Sequence, residues 1–299
     1  MIIDICPTVD LAFKLMLGSP DHTAITVHFL NSVLTGVPRI RQATILNPFL
    51  GKETEDDKLS VLDIKAQDEL GQYFNIEMQT SLATGLARRL VYYAGRLYVS
   101  QMREGMAYRE LRPAISICVL SEAMFPKLPP LHLDFRLRER NGQVLADELQ
   151  IHLIELPKSR AAVHNLGEVS PLERWAFLLL HAHRIDADEL RRLLPEPEFH
   201  DALGVLEMIS RTPDTRELYE ARLKAKLDEE ARLDQARTEG RTEGERIGLT
   251  RGEQIGQIRL LEQLLGMAPT TSEELARLSF EQLAAQLADL QCILRERSE

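Results

Sequence analysis

Apolar and polar residues alternate with a period of two over Leu62-Asp-Ile-Lys-Ala66 and again over Phe74-Asn-Ile-Glu-Met78, the pattern of two half-buried strands. To share one core face in an antiparallel pair, Leu62 must oppose Met78, Ile64 must oppose Ile76 and Ala66 must oppose Phe74. A one-residue slip would turn a whole apolar set toward solvent. The connecting Asp68-Glu-Leu-Gly71 supplies the odd-length loop this register needs, with Gly71 in a left-handed conformation. Asp63 then stands opposite Glu77 on the other face, with side chains about 5 Å apart.

Around this hairpin the spacing predicts a short helix over Leu11–Leu17 capped by Asp10, a second helix from about 21 to 34, and an extended stretch over 42–50. A helix over 82–105 follows, then a buried strand at Ala114–Leu120 and another at Leu149–Leu156. Helical spacing resumes over 161–215, with Trp175–His181 its most apolar part. Helix, hairpin, helix and buried strands in this order predict an α/β fold.

Beyond Pro213 the chain becomes strongly charged, and glycines recur every four residues at 240, 244, 248, 252 and 256. Each costs a helix about 1 kcal/mol relative to alanine, so this segment is either a helix packed on a partner or a solvated linker. The expected organisation is a core over 1–160, a helical segment packed on it over 161–215, a charged glycine-repeat helix or linker over 216–260, and a small helical module over 261–299. Glu273 and Glu274 suit the first turn of a helix in that module.

With 299 residues the chain is long enough for one substantial core and a smaller unit. Its net charge of -10 argues against a protein that coats nucleic acid nonspecifically, but leaves room for a local basic surface. Cys6, Cys118 and Cys292 have no paired spacing, so a disulfide framework and a thiolate zinc site are both unsupported. No leader pattern or membrane-length apolar run is present, and the expectation is a soluble cytoplasmic protein without a membrane.

Two facing carboxylates repel. A divalent cation bound to Asp63 and Glu77 would relieve that repulsion, and Mg²⁺ prefers such oxygen ligands. The alternative is a solvated hairpin face on which Lys65 neutralises the pair. The helix after Gln79 carries Arg88, Arg89, Arg96 and Arg103 among Tyr92, Tyr93 and Tyr98. Arg89, Tyr93 and Arg96 are neighbours at helical spacing, forming either a phosphate-contacting surface beside the metal or a wet helix face with packed tyrosines.

Asp57-Lys58, Ser60-Val-Leu-Asp63-Ile-Lys65, Ile76-Glu77-Met78-Gln79, Arg89-Leu-Val-Tyr-Tyr93 and Ile154-Glu-Leu156 together resemble the Rpn family of recombination-promoting nucleases, also described as PD-(D/E)XK nuclease-family putative transposases. The resemblance begins at Asp10-Leu-Ala-Phe13-Lys14 and extends to about Lys158, and the glycine-rich tail is similar too. It implies a restriction-endonuclease-like mixed sheet flanked by helices, with a helical C-terminal extension.

The resemblance also implies that Asp63 and Glu77 hold a divalent metal, Mg²⁺ first, with Mn²⁺ or Ca²⁺ as alternatives. Gln79 occupies the position where the Glu-X-Lys motif has lysine. Glutamine orients water but supplies no positive charge. Lys65 is a candidate for part of that charge, and Asp10 matches an N-terminal family position near the metal.

The implied function is metal-dependent endonucleolytic cleavage of DNA in recombination, mobile-element movement or phage defence, with Arg88, Arg89, Tyr93 and Arg96 on the DNA and homo-oligomerisation through the C-terminal helical region. The competing reading is an oligomeric interaction scaffold that keeps the nuclease fold with weak or no catalysis.

Overall fold

The computed structural model describes residues 2–35, 38–47 and 64–297. Among these, six strands form one mixed sheet: β1 (Ala43–Ile45), β2 (Ile64–Asp68), β3 (Tyr73–Gln79), β4 (Ala114–Leu120), β5 (His132–Arg138) and β6 (Val144–Glu155). Their order across the sheet is β1-β2-β3-β4-β6-β5.

β2 and β3 pair antiparallel with Ile64 opposite Ile76 and Ala66 opposite Phe74, the register that the apolar alternation requires. Gly71 has φ +84° in the connecting turn. There the Asp68 carboxylate accepts from the Leu70 and Gln72 amides at 3.0 and 2.8 Å. The expected Leu62–Met78 and Asp63–Glu77 pairs lie outside the described residues.

β3, β4 and β6 run parallel, with α3 (Leu86–Val99) in the crossover from β3 to β4. Flanked on both sides and covered on both faces, β4 is buried at every position, which explains its continuous apolar and small-residue run Ala114-Ile-Ser-Ile-Cys-Val-Leu120.

The alternation divides the sheet into two unlike faces. Ile64, Phe74, Ile76, Met78, Ile117, Val119 and Ile154 share the main core with α1 (Asp10–Leu17), α2 (Thr23–Val33), α4 (Pro171–His181), α5 (Ala187–Leu193) and α6 (Pro197–Arg211). Trp175 is fully buried there, 5.6 Å edge-on from Phe29 and 4.7 Å from Phe199, and its indole N–H donates to His28 Nδ1 at 3.1 Å. Burial of such a ring removes roughly 200 Å² from water, worth about 5 kcal/mol before entropy losses. On the other face, Leu86 and Leu90 of α3 pack over Cys118, Leu120, Leu133 and Leu153.

Several boundaries differ from the expectation. The N-cap of α1 is Val9, not Asp10; Asp10 is the first helical residue and pairs with Lys14 at 3.5 Å. The helix expected over 82–105 occupies Leu86–Val99. β5 was not anticipated, and β6 starts earlier than Leu149 because its first half pairs with β5. Arg136 opposes Gln150, Leu137 opposes Ala146 and Arg138 opposes Val144, so the surplus residues bulge from β6 and leave β5 regular.

The chain divides into compact units over Met1–Leu227 and Asp228–Glu299. Helix α7 (Pro213–Leu265) includes all five glycines of the ladder. In the second unit its Ile258 and Leu265 pack with Leu275 of α8 (Ser272–Arg277) and with Leu283 and Leu290 of α9 (Phe280–Glu296). Glu262 is buried there and accepts from the Thr270 amide at 3.0 Å, and Thr271 and Ser279 cap α8 and α9. No described helix is long and apolar enough to cross a membrane.

Candidate active site

Because Phe74, Ile76 and Met78 are committed to the main core, Asn75, Glu77 and Gln79 necessarily face α3. Their register neighbours on β4 are Ser116, Cys118 and Leu120. Glu77 is 4% exposed, and its carboxylate accepts from Asn75 Nδ2 at 2.7 Å. Burial pushes the Glu77 carboxyl above the ordinary glutamate range, opposed by the Asn75 hydrogen bond and the Arg89 charge. Beside it, Asn75 Oδ1 and Ser116 Oγ are buried without a hydrogen-bond partner among the described residues.

Arg89 enters from the helix. α3 follows Gly85 (φ +83°) and buries Leu86, Leu90, Ala94 and Leu97 against the sheet. That places Arg89 on a flank of the helix, where Nη2 donates to Gln79 Oε1 at 2.5 Å. Its Nε is buried without a partner among the described residues. The contact fixes the amide: Gln79 has its carbonyl committed to the guanidinium and its NH₂ left as a donor. A permanent positive charge is thus hydrogen-bonded to Gln79, two residues beyond Glu77 on the same strand face.

The other expected site residues separate. Lys65 opposes Asn75 on the same face, but its ammonium lies over the Tyr73 ring, 5.5 Å from the centroid. Tyr73 is roughly 13 Å along the strand from Glu77 at 3.3 Å per residue, so Lys65 does not join Glu77. Asp10 is the first residue of a helix whose apolar side packs in the main core on the opposite face of the sheet, and it pairs with Lys14. Asp63 lies outside the described residues. Arg88 and Arg96 are exposed along α3, while Tyr93 is half-buried, its ring 5.6 Å from that of Tyr92.

Two features had not been read from the sequence. The helical spacing groups Arg89 with a DNA-contacting surface, whereas its inward contact is tertiary; the local hint is its place ten residues after Gln79, across the Gly85 turn. At the end of β6, fully buried Glu155 accepts from the Phe125 amide at 2.8 Å and pairs with Lys158. Lys158 also donates to the Phe125 carbonyl at 2.9 Å, which closes the tie and makes it a fastening for the 125 loop.

The donor chemistry suits a hard cation. A buried carboxylate that needs countercharge and an orphaned amide oxygen beside it are ligands for Mg²⁺, Mn²⁺ or Ca²⁺; the neighbouring Cys118 is packed in the apolar cluster under α3. Among the described residues no cluster of three or more His, Cys, Asp and Glu side chains forms, and Glu77 is the candidate carboxylate ligand on this face of β3.

A helix-flanked mixed sheet with Glu77 and Gln79 two apart on a central strand and a basic helix laid across them defines a nuclease-type fold. Residues 7–236 match the family model of the PD-(D/E)XK nuclease family transposases, and the chain belongs to that family. No curated protein and no solved structure matches it.

Proposed function

We propose that this chain is a divalent-metal-dependent DNA endonuclease whose reaction centre is built from Glu77, Gln79 and Arg89, together with Asp63. The observation that carries the reading is the Arg89–Gln79 hydrogen bond beside a buried Glu77. Glu77 and Asp63 would hold the metal, which when bound supplies water activation and charge neutralisation at the phosphate. Asn75 fixes the Glu77 carboxylate by its amide. Gln79 offers its NH₂ to a water or a phosphate oxygen, and Arg89 supplies the positive charge that glutamine lacks. Arg88, Tyr93 and Arg96 extend this centre along α3 as the DNA-contacting face.

The reading places the protein in the cytoplasm, where Cys6, Cys118 and Cys292 stay reduced, and in recombination, mobile-element movement or phage defence. Copies assemble through residues 216–299. Leu249, Leu260 and Leu264 are exposed on α7, away from the side that packs Ile258 and Leu265. A second reading, a nuclease-fold scaffold without catalysis, draws on Gln79 in place of lysine.

The test is cleavage of supercoiled plasmid by wild type, Asp63→Ala and Glu77→Ala in EDTA, Mg²⁺, Mn²⁺ or Ca²⁺. Metal-dependent nicking by wild type, lost in both variants with the fold retained, is expected. Absence of cleavage by folded wild type under every metal would favour the scaffold.

A further inference from the structure

β5 is a sheet edge: β6 covers one side, and the other has no strand partner among the described residues. Exposed edges are templates for another strand, and proteins blunt them with bulges or unpaired charge. Here the bulges are in β6, so β5 keeps a regular ladder. The charge at its centre is neutralised locally, because Arg136 binds Asp134 at 2.9 Å and Asp147 at 2.6 Å. Phe135 and Leu137 remain 39% and 49% exposed on the α3 face. Phe135 lines an apolar cleft of about 120 Å³ with Ala87, Val91 and Phe125, so the apolar surface continues from the edge strand onto the helix.

The sequence of this edge is complementary to itself. About Phe135, the run Leu133-Asp-Phe-Arg-Leu137 reads as its own partner when reversed. An antiparallel copy places Leu133 opposite Leu137, Asp134 opposite Arg136 and Phe135 opposite Phe135, all with matching faces. A two-fold interface demands this kind of self-complementarity.

We propose that β5 pairs antiparallel with β5 of a second copy about a two-fold axis at Phe135, joining two sheets into one. In the paired sheet, Asp134 of each copy stands opposite Arg136 of the other, adding a cross-strand pairing to the ion pairs within each copy, and Phe135 and Leu137 close over the apolar edge. Both Glu77 residues face the same side of the joined sheet. Seven strand spacings of about 4.8 Å separate the two β3 strands, so the centres lie roughly 35 Å apart, about one turn of duplex DNA.

Site-specific cross-linking of the full chain tests this, with Cys292→Ser in every variant to silence the exposed native thiol. Directly opposed residues have Cα atoms about 4.5–5.5 Å apart, within disulfide reach. Phe135→Cys is therefore expected to give a reductant-sensitive covalent dimer under mild oxidation. Leu137→Cys alone leaves the two thiols about 13 Å apart along the strands and should link at least roughly tenfold more slowly. Mixing differently tagged Leu133→Cys and Leu137→Cys chains should yield the heterodimer, which keeps the test valid should Phe135→Cys fold poorly. Linkage at Phe135→Cys no faster than at Leu137→Cys, or no mixed heterodimer, overturns the proposal. Assembly through residues 216–299 alone would keep the oligomeric mass but leave these positions unlinked, so the two readings fail separately.

Discussion

Exchanging the charge between Gln79 and Arg89 tests the centre most directly. Arg89→Gln removes a guanidinium that donates to Gln79 at 2.5 Å and acts on buried Glu77. Loss of one preorganised donor at developing negative charge costs about 3–4 kcal/mol, or roughly 10²–10³ in rate. Gln79→Lys alone places an ammonium on the strand and sets it against Arg89. Two like charges about 4 Å apart repel by about 4 kcal/mol at an effective dielectric of 20, so this variant should be slower and less stable than wild type. Gln79→Lys combined with Arg89→Gln keeps one charge and moves it from helix to strand, and should cleave faster than either single variant. The assay is single-turnover nicking of supercoiled plasmid in excess Mg²⁺, with thermal melts to verify folding. Additive effects across the cycle, or wild-type rate in Arg89→Gln, would refute the assignment of charge to Arg89.

Glu77→Gln should be more stable than wild type in EDTA at pH 8 by about 1–3 kcal/mol, since it removes a poorly compensated buried charge while keeping the acceptor for Asn75. The carboxyl titrates above its unfolded value, so its contribution is fullest below the ordinary glutamate range and is lost as pH rises through the raised value. Urea melts from pH 4 to 8 should therefore converge at acid pH; parallel curves would contradict the burial argument. His152 gives the opposite slope. Burial lowers it to about 4, with His132 Nε2 against its Nδ1 at 2.8 Å, so it is neutral in the fold and takes up a proton on unfolding. Stability from this group is full above about pH 6.5 and declines by about 3 kcal/mol toward pH 4. His152→Gln should flatten that loss in acid-denaturation curves, and an unchanged slope would assign it elsewhere.

The hairpin was legible because two period-two patterns admit one register, and Gly71 supplies the backbone freedom its turn demands. The buried strand β4 was legible from an apolar run too short for a helix. β5 was not, although Leu133, Phe135 and Leu137 alternate, because the intervening Asp134, Arg136 and Arg138 give it the composition of a loop. That Glu77 and Gln79 share the α3 face of β3 followed from strand parity alone. Arg89 escaped because a helix side chain meets a strand residue only once the crossover is folded, and Lys65 misled because shared face does not specify where a long side chain points.

The division of β3 between two faces has an evolutionary consequence. Phe74, Ile76 and Met78 answer to packing, whereas Asn75, Glu77 and Gln79 answer to chemistry, yet the two sets alternate in one seven-residue strand. Selection on one set is nearly invisible to the other. Side chains on the α3 face can thus be exchanged, and charge moved between strand and neighbouring helix, while the core stays intact.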